Sequence, residues 1–142
     1  MAGPDSDEHY IISLCDNVLG ESALRGHRFD FLRGDPGKRK GARLPVDAFY
    51  ERRNLVIEYY EPQHSQPVPH FDKPDKVTVS GVSRGKQRQI YDQRRLTVLP
   101  QHGVTVIVLR YDQFAVNSQG RLKRTIIDDL TIIKRELFDY IP

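Results

Sequence analysis

The chain has 142 residues, of which 38% are apolar and 29% charged. That balance fits one soluble domain with a single core and excludes a disordered chain. No apolar run approaches bilayer length, and the opening MAGPDSDEHY lacks the basic and apolar regions of an export signal, so a cytoplasmic protein is expected. A lone cysteine, Cys15, rules out an internal disulfide and, on an apolar helical stripe, reads as a small buried hydrophobe. The net charge is only +3. Its distribution says more, because basic residues cluster at Lys38 to Arg43, at Arg84 to Arg95 and at Arg121 to Arg124. Such clusters suit a polyanion or a solvated basic surface.

One domain is expected over 1–142, with 1–6 as a loose tail. Asp7 to Leu19 reads as a helix, capped by Ser6 or Asp7 and ended by Gly20. Arg28 to Leu32 alternates as a strand, and the Gly- and Lys/Arg-rich stretch to Arg43 is a loop. Pro45 to Tyr50 and Asn54 to Tyr60 form an antiparallel hairpin about a turn at Glu51 to Arg53. The second of these strands is apolar on both faces, which predicts a central position between helices. Glu61 to Pro74 holds four prolines and reads as a long excursion. Residues 85–99 form a helix. Val104 to Leu109 is a buried strand, parallel to its neighbour across the crossover. Leu122 to Tyr140 is the clearest amphipathic helix, with Leu122, Ile126, Leu130, Ile133 and Leu137 on one stripe. The predicted architecture is αβββαβα, an α/β (α+β) fold with a mixed four-stranded sheet flanked by helices.

The chemistry concentrates in LPVDAFYERRNLVIEYYEPQH. Asp47 and Glu58, eleven positions apart, fall on neighbouring strands. A carboxylate inside a strand that should be buried is costly unless paired or bound to a cation, and two of them suit a hard ion such as Mg2+. The alternative is a pair of surface acids bridging Arg52 or Arg53.

Three features carry a resemblance. They are Pro45-Val46-Asp47; Leu55-Val56-Ile57-Glu58 with Gln63-His64; and Tyr91-Asp92-x-x-Arg95-Leu96, followed by Gly103 and an apolar strand. With the element order, they make the chain resemble the PD-(D/E)xK, or restriction-endonuclease-like, nuclease superfamily, in the branch related to very short patch repair endonucleases. The resemblance implies a metal-dependent endonuclease hydrolysing DNA phosphodiester bonds with Mg2+ or Mn2+. Asp47, Glu58 and the Tyr59 carbonyl would be the metal ligands. It also implies an acid from the first helix or strand, for which Glu8, Glu21, Asp30 and Asp35 are candidates. Where the superfamily carries lysine, two residues after Glu58, this chain has Tyr60. Gln63 and His64 are the substitutes, His64 as a group able to activate water. Arg84, Lys86, Arg88 and Arg95 are the expected nucleic-acid contacts, and a homodimer would let the fold cut both strands. The alternative is a weakened nuclease fold serving as a nucleic-acid-binding module or as a subunit of a larger complex.

Overall fold

The computed structural model describes residues 3–37, 40–62 and 78–142. Helix α1 (Asp7–Leu19) starts where Ser6 Oγ accepts the His9 N–H at 3.0 Å, and it stops at Gly20 with φ of 67°. Both caps are the ones its sequence predicts. There follow β1 (Leu24–Arg25), β2 (Arg28–Arg33), β3 (Arg43–Pro45), β4 (Ala48–Tyr50), β5 (Leu55–Tyr60), α2 (Arg84–Gln101), β6 (Thr105–Arg110) and α3 (Ile126–Glu136). The main sheet has the order β1-β4-β5-β6, antiparallel except for the parallel β5–β6 pair. A mixed four-stranded sheet is thus present with β5 inside it, but its edge strand is Leu24–Arg25, which the sequence does not predict, while the predicted Arg28–Leu32 strand lies in β2, outside this sheet.

Two expectations need correction. The strand expected over Pro45 to Tyr50 is broken at Val46 and Asp47. Its first half, β3, pairs with β2 in a separate two-stranded sheet, while its second half, β4, pairs with β1. Both arms of this hairpin bend at the same level. The Val46 N–H donates to the His27 carbonyl at 2.9 Å and the Gly26 N–H to the Asp47 carbonyl at 3.3 Å. Gly26 supplies the φ of 64° that the bend needs. Asp47 therefore sits in a bend rather than within a strand. The described residues thus hold six strands in two sheets rather than the four strands in one sheet that the sequence predicts.

The helix expected over Leu122 to Tyr140 is shorter, running from Ile126 to Glu136 before a single 3-10 turn at Phe138–Tyr140. Its early part is diverted by the N-terminus of α1. The buried Asp7 carboxylate accepts the Leu122 N–H at 3.0 Å and pairs with Arg121 and Arg124. Arg124 takes a left-handed φ of 59°, which no helix tolerates, and Leu122 instead bridges to Val116.

Strand β5 divides the core. Leu55, Ile57 and Tyr59 pack against α1 and α3 through Ile11, Cys15, Leu19, Ile133 and Leu137. Val56 faces the other way, with Phe49, Leu32, Val46 and α2's Leu99. No helix among the described residues is long and apolar enough to cross a membrane.

Candidate functional site

Glu58 lies on the α2-facing side of β5 and is only 4% exposed. The antiparallel ladder pairs Ala48 with Ile57. The next step would set Asp47 against Glu58, but there the chain has already bent out of the ladder. The freed backbone groups turn to the carboxylates. The Asp47 N–H donates to Glu58 Oε2 at 2.6 Å, and the Tyr59 N–H donates to Asp47 Oδ2 at 2.8 Å. The two acids are thus locked to each other's main chain. In a strand the N–H and C=O of one residue point to the same side, so the Tyr59 carbonyl also faces the Asp47 edge.

A third acid arrives from α1. The Glu8 carboxyl shares a hydrogen bond with that of Asp47 and has its pKa pushed up to about 8, first by burial, then by the Asp47 charge and that bond, then by Glu61. Glu58 is held well above the ordinary carboxylate range, mainly by burial and then by Asp47. The Asp47 N–H and Arg95 oppose that rise, while Asp92 adds to it. These acids form a chain and not a cage: among the described residues no group of three or more His, Cys, Asp or Glu could hold a metal ion. A pair of carboxylates is nevertheless enough for Mg2+, which keeps several waters and takes few protein ligands.

Of the four acids considered as helpers, Glu8 alone joins the site. Glu21 pairs with Arg53 at 2.6 Å, Asp30 lies near Arg33 and Arg43, and Asp35 pairs with Arg94 at 2.8 Å. Arg53 is further held by the carbonyls of Leu19 and Tyr140, and it does not bridge Asp47 or Glu58.

Helix α2 supplies the cationic wall. Residues 84, 88, 92 and 95 recur at helical spacing and form one stripe. Arg84 and Lys86 are exposed on the first turn, Arg88 is half-buried, and the stripe ends at Asp92 and Arg95. Arg95 turns inward rather than to solvent. Its Nε donates to the Pro45 carbonyl at 3.0 Å and lies 3.6 Å from Glu58 Oε1, while Nη1 donates to Asp92 Oδ1 at 3.1 Å. Its side chain is 14% exposed, so it braces Glu58 and is not an open DNA contact. Tyr60 shares the Glu58 face of β5. Burial, with the charges of Asp92 and Glu58, drives its phenol pKa upward, so it stays protonated and can donate but not act as a base.

Gln63 and His64 lie outside the described residues. No family model, curated protein or solved structure matches this chain.

Proposed function

We propose that this protein is a metal-dependent endonuclease that hydrolyses DNA phosphodiester bonds, as the resemblance to the PD-(D/E)xK superfamily implies. One observation carries the reading. Two acidic side chains, one nearly buried, are held against each other's main chain across a break in a strand. Such an arrangement is unfavourable for the fold alone and becomes favourable once a cation sits between the acids. The raised proton affinity of Glu8 and Glu58 comes first from burial and then from the neighbouring Asp47, the pattern of acids gathered in one partly buried cluster.

In this reading Asp47 and Glu58, with the Tyr59 carbonyl, offer oxygens to Mg2+ or Mn2+. The ion would polarise a phosphate oxygen and lower the pKa of a bound water. Arg95 fixes the Glu58 rotamer. Tyr60, protonated, can donate a hydrogen bond to a phosphate oxygen in place of the superfamily lysine. Arg84 and Arg88 lie along the α2 stripe that a DNA backbone would follow, and Lys86 is exposed elsewhere on the same first turn. Gln63 and His64 remain the sequence-based candidates for activating water. One copy holds one such site, so nicking is expected from a monomer and double-strand cleavage from a homodimer.

A second reading is favoured by a specific feature: Tyr60 cannot accept a proton, and Arg95 is already committed to carboxylates. The fold would then bind nucleic acid without cutting it, alone or within a complex. Incubation of supercoiled plasmid with Mg2+ or Mn2+ separates the two. Metal-dependent nicking that vanishes in Asp47→Ala and Glu58→Ala is the expected result. Salt-sensitive binding with no nicking would favour the module.

A further inference from the structure

A cavity of about 470 Å³ lies between the loop after β2 and the N-terminal half of α2. Its size falls in the range of specific small-molecule sites, roughly 300–1,000 Å³. Ala42, Leu44, Val79 and the Tyr91 ring give it a mainly apolar lining, with Gln87 and Lys40 as polar members. The loop's glycines approach the opposite walls closely enough that an added Cβ would make those side chains shift. A Cβ on Gly34 would stand 2.8 Å from Tyr91 Oη, and one on Gly37 3.0 Å from Val79 Cγ1. The frame is tied together by hydrogen bonds. Tyr91 Oη accepts the Asp35 N–H at 2.8 Å and a Gln87 Nε2 hydrogen at 3.3 Å, and it stands 3.2 Å from Ser80 Oγ. The Arg94 guanidinium pairs with the Asp35 carboxylate and covers the Tyr91 ring at 5.1 Å. The cavity is therefore preformed rather than a gap awaiting collapse.

Its position matters as much as its shape. Tyr91 precedes Arg95 by one helical turn on α2, and Arg95 is the residue that braces Glu58. Tyr91, in the cavity wall, thus shares a helix face with the residue that braces Glu58. Its contents suit a planar heterocycle on an anionic chain: an aromatic ring and aliphatic walls for the base, and Lys40 for the phosphate.

We propose that this cavity receives a single unpaired nucleobase of the bound nucleic acid. This inference rests on the nucleic-acid reading above and adds a structural preference to it: a strand with an extrahelical base is chosen over a fully paired duplex. Stacking of one base on such a surface supports a preference of about tenfold.

The test uses two labelled 20-mer DNA duplexes, one fully paired and one with a single-base 2-aminopurine bulge. Binding is measured by fluorescence anisotropy in EDTA, where no strand is cut. The native chain should bind the bulged duplex about tenfold more tightly, with a change in 2-aminopurine emission. Ala42 is exposed, so Ala42→Trp fills the cavity from the solvent side. That variant should lose the preference to within about twofold while binding the paired duplex as before, and Ala42→Ser should keep it. Equal affinity of the native chain for both duplexes overturns the cavity proposal and leaves the nuclease reading standing. So does a preference that survives Ala42→Trp. Binding to neither duplex overturns the cavity proposal, while the nuclease reading stands or falls on plasmid nicking with Mg2+ or Mn2+.

Discussion

The two faces of β5 invite comparison, because the same six residues build both. Toward α1 and α3 the strand presents Leu55, Ile57 and Tyr59 to an apolar core, with the buried Asp7, paired to Arg121 and Arg124, and the buried Asp129, which accepts from Tyr10, near the Tyr59 end. Toward α2 it presents Val56, then Glu58 and Tyr60 among Asp47, Asp92 and Arg95. Both faces are buried along almost the whole strand. One is buried for stability. The other holds a charged constellation that a fold built only for stability would replace with apolar residues, commonly at no loss. On the proposed reading, the α2 face serves the function and the α1 face the fold.

The largest effect is expected from neutralising the ionic face. Asp47→Asn or Glu58→Gln should lower metal-dependent nicking by about a thousandfold, or roughly 4 kcal/mol of transition-state stabilisation. In EDTA, Glu58→Gln should nevertheless melt no lower than the native chain, because burial already favours the uncharged form of this side chain. A clear fall in Tm would assign Glu58 to the structural side. The opposite pattern is expected across the strand. Ile57→Ala should cost about 3 kcal/mol in urea unfolding, by emptying a fully buried site, and leave nicking intact where the protein is folded.

A smaller effect follows from Glu8. Its pKa is raised from 4.5 to about 8, so its contribution to stability is complete below 4.5 and is lost as pH rises through about 8. The metal-free Tm should fall over that window, and Glu8→Gln should flatten the fall. Added Mg2+ should raise Tm most at the alkaline end, where no proton competes for the acids. A Mg2+ shift that is the same at both ends would contradict this. The smallest effects should come from the two tyrosines. Tyr60→Phe should slow nicking by about tenfold, the worth of one hydrogen bond to a phosphate. The Tyr59 hydroxyl is buried with no hydrogen-bond partner among the described residues, so Tyr59→Phe should change stability by under about 1 kcal/mol and leave nicking alone.

Much of this division is written locally in the chain. Ser6 and Gly20 bound α1 because caps act within one turn. The VTVIVL run and the alternation of 55–60 give β6 and β5, since burial on both faces shows as unbroken apolarity. Glu58 stood out as the one charge in that alternation. What the sequence hides is set by distant partners. The bend at Asp47 depends on hydrogen bonds to Gly26 and His27, some twenty positions earlier. The late start of α3 depends on Arg124 meeting Asp7, 117 positions away. Glu8 could not be told from Glu21, Asp30 or Asp35 by sequence, because what separates them is which arginine claims the other three. The cavity beside Tyr91 arises from loop packing and has no periodic trace.

The pairing of Asp47 with Glu58 as a cation site is tested most directly by titrating Mn2+ into the metal-free protein by calorimetry at pH 8. One Mn2+ per chain is expected, with affinity falling at least about tenfold in both Asp47→Asn and Glu58→Gln. No binding, or binding that both variants leave unchanged, would contradict it.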